Sequence, residues 1–136
     1  MFDSCLYFNL SSLSRTITEI WKDEFSQLGL SPSHGYLLFA MVEKSGVQQK
    51  DYGDYLDLDA STINRLIDIL IQKSYAEKDG VGRGSVVSVT PQGRDLYRKV
   101  KKSMSSLKQQ MTEGLGKAKF EKLVQDLAMA RDTLSA

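Results

Sequence analysis

The sequence predicts a mainly α-helical fold that carries one small β-wing of two strands. Apolar residues recur at the spacing of one-sided helices in several stretches, most clearly in residues 6–28, 59–74 and 117–134. Residues 75–89 differ, because they combine glycine-rich turn residues with a β-branched run and so predict a hairpin. A length of 136 residues is that of one ordinary domain, so we expect residues 1–136 to form a single domain.

Residues 59–74 predict the helix around which the rest of the chain is organised. Its apolar residues follow the spacing of a helix with one buried face: Ile63, Leu66, Ile67, Leu70 and Ile71. Asp59 or Ser61 is expected to cap its start, because a short side-chain oxygen satisfies unpaired amide donors there. The opposite face carries Ser61, Asn64, Arg65 and Asp68. Short polar groups beside an Arg suit the DNA major groove, where Asn pairs with adenine and Arg with guanine.

The segments on either side of this helix predict a winged helix-turn-helix. A short helix in residues 48–58 precedes it, and Gly53 lies where two crossing helices need a small residue. Its apolar side is formed by Tyr52, Tyr55 and Leu56. Residues 75–78 and 85–89 predict the two strands of the wing, with Gly80 and Gly82 in the turn. The helix pair alone fits an ordinary all-α hairpin as well as a DNA-binding motif, and the wing favours the latter.

A first long helix is predicted in residues 6–28, with Gly29 ending it in a left-handed conformation. Ser31 and Pro32 then begin a helix whose next residues, up to Val42, are nearly all apolar, so we expect it to be the buried centre of the fold. Trp21 and Phe25 belong to the broad apolar stripe of the first helix.

Two further helices follow the wing. Thr90 and Pro91 begin the first of them, Gly114 and Gly116 are expected to interrupt it, and residues 117–134 form the last. These terminal helices are too few to enclose a core of their own. A symmetric dimer that buries their stripes is the simplest closed solution. We therefore expect dimerisation helices at about 5–28 and 91–136 around a winged helix-turn-helix at about 32–90.

Several classes of function lack the residues that they require. One cysteine, Cys5, and one histidine, His34, provide neither an intrachain disulfide nor a metal site, and we expect no metal, no cofactor and no catalytic residue. The chain is therefore not expected to be an enzyme. No apolar run approaches the length of a membrane span, and the first residues lack a signal-peptide pattern, so a cytoplasmic location is expected.

The charge is unevenly distributed along the chain, although the net charge is only +1. Residues 45–90 hold five basic and seven acidic side chains, whereas residues 91–136 hold ten basic and five acidic ones. The predicted reading region thus lacks the basic excess usual for DNA-binding proteins. The positive charge of residues 91–136 fits a solvated helix face, and contact with flanking DNA is the alternative.

The order of these parts resembles the MarR family of bacterial transcriptional regulators. The segment 28–42 resembles the start of the family's second helix, and the segment 48–78 resembles its helix-turn-helix. Residues 86–93, with Thr90 and Gly93, resemble the exit from the wing. The resemblance implies a homodimeric, DNA-binding repressor or activator, which a small aromatic or acidic ligand or oxidation often controls in the family.

The sequence departs from the family pattern in two places. Arg83 takes the position of the wing arginine, but Val81 stands where the family usually has an aspartate, and the wing is shorter. Tyr7 occupies the position of the peroxide-sensing cysteine of some members, whereas Cys5 lies two residues earlier. Because two helical residues turn the side chain by roughly 200°, Cys5 is expected to be a buried or terminal thiol rather than a sensor.

We thus predict a homodimeric, sequence-specific regulator that binds double-stranded DNA at a pseudo-palindromic operator, with control by a small aromatic or acidic effector. The predicted DNA contacts are Lys50, Ser61, Thr62, Asn64, Arg65 and Arg83. Candidate effector contacts are Tyr7, Trp21, His34 and Tyr36, for which simple packing roles are the alternative. A winged-helix protein-interaction module that does not bind DNA is the rival interpretation of the whole chain.

Overall fold

The computed structural model describes residues 1–80 and 84–135. Within these residues the elements follow one another as α1 (Leu6–Ser26), α2 (Pro32–Glu43), α3 (Asp51–Leu56), α4 (Ala60–Gln72), β1 (Ala76–Asp79), β2 (Val86–Val89), α5 (Pro91–Leu115) and α6 (Lys117–Leu134). The predicted class, mainly α with a two-stranded wing, is confirmed. The chain divides into two compact units, Met1–Ser103 and Met104–Ala136.

The predicted helix starts are set by side-chain caps. The Ser31 hydroxyl accepts the amide N–H of His34 at 3.3 Å, with Pro32 as the first residue of α2. The Thr90 hydroxyl accepts the amide N–H of Gly93 at 3.0 Å at the start of α5. Each cap satisfies a donor that the first helical turn leaves unpaired, which is why these short polar residues begin the helices.

The core of the unit Met1–Ser103 forms where α2 packs against α1, α3, α4 and β2. Its fully buried hydrophobic side chains are Phe25, Leu37, Leu38, Met41, Tyr52, Ile63, Ile67, Leu70, Val87 and Val100. A Cβ at Gly35 would overlap the ring of Phe25, so this glycine allows α1 and α2 to approach closely. The prediction that α2 is central is therefore confirmed.

The turn between α3 and α4 depends on two backbone features. Asp57 adopts the left-handed conformation at φ 54°, and the amide N–H of Leu58 donates to the carbonyl of Gly53 at 3.0 Å. A Cβ at Gly53 would lie 2.9 Å from the Leu58 carbonyl oxygen. Gly53 is thus needed for the turn backbone and not, as predicted, for the crossing of two helices. Tyr55, predicted on the apolar side of α3, is 51% exposed.

The wing is an antiparallel pair of strands that runs from Ala76 opposite Val89 to Asp79 opposite Val86. Ala76 and Val87 are buried, so one face of the wing packs on the core. Gly80 has φ 93°, as expected for a turn residue with positive φ. Residues 81–83, and with them Arg83, lie outside the described residues.

Large parts of the predicted apolar stripes are exposed. In α1 only Phe25 is buried, and the exposed apolar residues of its first half are Leu6, Tyr7, Phe8, Leu10 and Leu13. α6 buries none of its side chains, and its exposed apolar residues are Val124, Leu127, Met129 and Leu134. Both α1 and α6 therefore present large apolar side chains to the surface.

One predicted boundary in the last part of the chain is wrong. α5 continues through Gly114 to Leu115, and Gly116, at φ 89°, separates it from α6. Gly114 therefore does not interrupt the helix, because an isolated glycine weakens a helix without breaking it. Among the described residues, no helix has both the length and the apolar character that a membrane span needs.

Candidate nucleic-acid interface

α4 places the predicted base-reading residues on one face. Ile63, Leu66, Ile67 and Leu70 are buried, as the apolar spacing predicted, and Ile71 is half-buried. Their burial fixes the rotation of the helix, so that Ser61, Asn64 and Arg65 are exposed and Thr62 is half-buried.

Asp59 caps this helix, and Ser61, the other predicted cap, supports it. Asp59 Oδ1 accepts the amide N–H of Thr62 at 2.7 Å and the hydroxyl of Ser61 at 3.0 Å. These bonds, first that from the Thr62 amide and then those from side chains, together with the nearby Arg65 charge, lower the pKa of Asp59. An ionised carboxylate thus occupies the helix N-terminus, a position that in other proteins often binds phosphate.

Arg65 is held on the same side of the helix. Its Nη2 donates to the Thr62 hydroxyl at 3.3 Å, and the Asp59 carboxylate attracts its charge. The guanidinium remains exposed, and an Arg fork on a helix face can bind the O6 and N7 atoms of guanine in a bidentate manner.

A cleft of about 820 Å³ lies beside this face, between α3, the start of α4 and β1. Its polar lining includes Gln49, Lys50, Asp54, Ser61, Asn64, Asp68 and Lys78. The lining has two lysines and two aspartates, so the cleft has no net charge. Lys50, predicted as a phosphate contact, is exposed at its edge immediately before α3.

The structure brings together two of the four candidate effector contacts. Trp21 Nε1 donates to the Tyr36 hydroxyl at 3.1 Å, and the rings of Tyr36 and Phe25 lie 6.1 Å apart. Both bonding partners are only partly buried, so this pair joins α1 and α2 near the surface.

The other two candidates lie apart from that pair. His34 Nδ1 is 2.5 Å from the Ser31 hydroxyl, and burial, followed by the nearby Lys73 charge, lowers the pKa of His34. Tyr7 is 81% exposed and lies about 21 Å from Trp21 along α1, since a helix rises 1.5 Å per residue. Within one chain, Tyr7 and Trp21 therefore do not share a pocket.

Of the polar residues that line the cleft, Gln49, Asp54 and Lys78 were not predicted to lie beside the exposed face of α4. Gln49 was predicted in the short helix of residues 48–58, but it precedes α3 and is only 7% exposed. Asp54 and Lys78 were counted only as charges, because nothing in a sequence shows that a helix residue and a strand residue face one cleft. Cys5 was predicted to be a buried or terminal thiol. It lies at the start of α1 and is exposed, so it is terminal but not buried.

Comparison with known proteins supports the fold strongly, although no protein-family model and no curated protein matches the sequence. The structure of the transcriptional repressor CouR bound to a 23-mer DNA duplex matches with a TM-score of 0.87 at 18% identity, covering 95% of this chain and 94% of that one. CouR bound to p-coumaroyl-CoA matches with a TM-score of 0.86 at 19% identity, covering 96% and 94%.

Two further regulators show the same architecture. The transcriptional regulator MosR of M. tuberculosis matches with a TM-score of 0.84 at 13% identity, covering 99% of this chain and 98% of that one. The MepR–DNA complex of S. aureus matches with a TM-score of 0.83 at 16% identity, covering 95% and 97%. From its first helix to its last, the chain has the fold of the MarR-family transcriptional regulators, as its motifs predicted.

Proposed function

We propose that this protein is a homodimeric transcriptional regulator that binds double-stranded DNA sequence-specifically through the exposed polar face of α4. The observation that carries the proposal is this face, with Ser61, Asn64 and Arg65 accessible on a helix-turn-helix. CouR and MepR, which share the fold, have been solved with DNA. In this proposal the protein acts in the cytoplasm as a regulator and not as an enzyme.

In the proposed complex, α4 enters the major groove and its side chains have different tasks. Arg65 binds guanine, Ser61 and Thr62 contact bases or adjacent phosphates, and Lys50 contacts the backbone at the edge of the cleft. We place Arg83 at the backbone or the minor groove. Two copies would set two α4 helices about one DNA turn apart, roughly 34 Å, on a pseudo-palindromic operator.

The dimer in this proposal is formed by the terminal helices. The apolar residues exposed on α1 and α6 provide its surface, because each large side chain buried by a second copy contributes about 1.5–3 kcal/mol. Light scattering of the full chain at micromolar concentration is expected to give the mass of a dimer. Leu127→Glu should shift it towards monomer, whereas Gln125→Glu on the same helix should not. A folded, soluble wild-type monomer would contradict the proposal.

DNA binding is tested directly with a mixed pool of genomic fragments. Anisotropy titrations at low salt should show binding, and repeated selection from random duplexes should then enrich one pseudo-palindromic sequence. Binding should weaken steeply as the salt concentration rises, because phosphate contacts release counterions. Failure of the wild-type protein to bind any duplex at low salt would refute the DNA-binding function.

A specific observation favours the rival function, a protein-interaction module. Asp54, Asp57, Asp59 and Asp68 all carry exposed carboxylates on the helix-turn-helix formed by α3 and α4. Such a surface repels phosphate and suits a basic protein partner instead. The same titrations separate the two functions, because a partner surface for a basic protein would bind polylysine and not DNA.

We also propose that a small aromatic or acidic effector binds near the Trp21–Tyr36 pair. Its support is the hydrogen bond between two partly buried aromatic residues, together with the solved CouR complex with p-coumaroyl-CoA. Trp21 is the only tryptophan of the chain, so its fluorescence reports on this place alone. Aromatic carboxylates should change the fluorescence and lower DNA affinity. Tyr36→Phe, which removes the acceptor of the Trp21 bond, should weaken the effector response. A response equal to wild type would exclude this site.

A further inference from the structure

Gln49 is held beside α4 by the backbone of the wing. Its amide N–H donates to the Ser85 carbonyl at 3.1 Å, and the preceding residue, Gln48, bridges to Val86 at the start of β2. The Gln49 side chain is 7% exposed, whereas Gln48 is exposed. The position of this side chain is therefore set by the fold and not by solvent.

The buried Gln49 side chain contacts one residue of the exposed polar face of α4 that carries Ser61, Asn64 and Arg65, here called the reading face. Its Nε2 donates a hydrogen bond to Oδ1 of Asn64, fifteen residues further along the chain. Both residues line the cleft beside α4. Because this bond turns Oδ1 of Asn64 towards Gln49, the other end of the planar amide, Nδ2 with its two N–H donors, points away from Gln49 and can donate to a ligand.

We propose that Gln49 is a specificity-determining positioning residue, which orients the Asn64 amide so that it presents donors to the DNA. A freely rotating Asn binds adenine best, because its acceptor and donor match N6 and N7 together. An Asn whose oxygen is turned towards Gln49 presents its amide donors, which match acceptors in the major groove. Guanine presents two adjacent acceptors, O6 and N7, adenine and thymine present one each, N7 and O4, and cytosine presents only an amino donor. This inference rests on the proposed DNA-binding function.

The burial of Gln49 supports a role beyond stability. Its second amide atom, Oε1, is buried without a hydrogen-bond partner among the described residues. A buried acceptor without a partner destabilises a fold, and an apolar side chain of similar size would avoid that loss. Gln49→Met should therefore fold at least as stably as wild type while releasing Asn64. If Gln49 served stability alone, Gln49→Met would instead lower the free energy of unfolding and leave the base preference unchanged.

The test uses the duplex selected by the wild-type protein. Asn64→Ala first identifies the base pair that responds to residue 64, and all four base pairs are then compared there. Wild type should prefer guanine, which has one acceptor more than adenine or thymine, over the other three bases by about 3- to 10-fold, the range of one neutral hydrogen bond. Gln49→Met should lose this preference and gain affinity for adenine. Gln48→Met, the same change at an exposed neighbour, should behave as wild type.

Two results would overturn the proposal: a wild-type preference for a base other than guanine at that pair, or an unchanged preference in a well-folded Gln49→Met. A measurement without DNA separates these results from failure of the proposed function. In nitrogen-15 NMR spectra, the side-chain amide protons of Gln49 should exchange more slowly with solvent than those of Gln48. Asn64→Ala should remove that protection. If Gln49 exchanges as fast as Gln48, the orienting contact is absent, whether or not the protein binds DNA.

Discussion

Replacement of Arg65 by alanine tests the placement of the reading face. Arg65 is exposed, and within the described residues its side chain donates a hydrogen bond to Thr62 on the same helix. Alanine is at least as good a helix former as arginine, so stability should change by less than about 0.5 kcal/mol. Any large loss of affinity then reflects the missing contact with DNA.

The expected loss of DNA affinity follows from one bidentate contact between Arg65 and guanine in each half-site. A bidentate Arg–guanine contact contributes about 1–3 kcal/mol, hence about 2–6 kcal/mol for a dimer on two half-sites. Since about 1.4 kcal/mol corresponds to a tenfold change, Arg65→Ala should weaken cognate binding by roughly 30-fold to 10⁴-fold. Binding to scrambled duplexes should weaken far less, because a base contact contributes little there.

Anisotropy titrations on cognate and scrambled duplexes at several salt concentrations measure both effects. Arg65→Lys keeps the charge but loses the fork, so it should lose selectivity while retaining the salt dependence. Lys73→Ala provides a matched control, because Lys73 is exposed at the other end of α4. Cognate binding by Arg65→Ala that is as tight and selective as wild type would show that the reading face is wrongly placed.

Four further predictions follow from individual contacts. Asp59→Asn keeps the helix cap but removes its negative charge. Gel shifts at low salt should therefore show several-fold tighter binding to unrelated duplexes. Unchanged binding would show that this carboxylate does not repel the DNA phosphates. Gly35→Ala forces a Cβ against Phe25 and should lower the free energy of unfolding in urea by about 1–3 kcal/mol. Gly114→Ala, whose Cβ meets open space, should not destabilise the protein. Equal urea midpoints for the two variants would contradict the packing of Gly35 on Phe25. Burial lowers the pKa of His34, so below pH 6.5 the unfolded chain takes up this proton more readily than the folded one. Stability should therefore decline as the pH falls through that region, and His34→Gln should remove that part of the decline in melting temperature. Cys5→Ser should leave DNA affinity unchanged with or without peroxide, and a peroxide response that this variant abolishes would instead make Cys5 a sensor.

The elements that sequence reasoning predicted well are those fixed by local interactions. The spacing of apolar residues in α4 predicted which residues are buried. A helix with one apolar stripe buries all of that stripe in only one rotation about its axis. Ser31 and Thr90 were found as caps because a cap requires only a short polar side chain a few residues before the amide that it binds.

The charge around the reading face was also visible in the sequence, but its arrangement was not. Counting charges predicted an acidic excess in residues 45–90. That Asp54, Asp68, Lys50 and Lys78 line one cleft depends on the packing of α3, α4 and β1. Because Coulomb interactions depend on distance in space, a count along the chain does not give the local field.

By itself, the sequence determined the order of helices and wing, the face of α4 that remains exposed and the fold that these parts resemble. The tertiary structure alone decided that Gly35 packs on Phe25, that Tyr55 is exposed and that Gln49 binds Asn64. The physical reason is the range of the interactions. Helix periodicity and capping act within about one turn, whereas close packing and side-chain hydrogen bonds join residues that only the folded chain brings together.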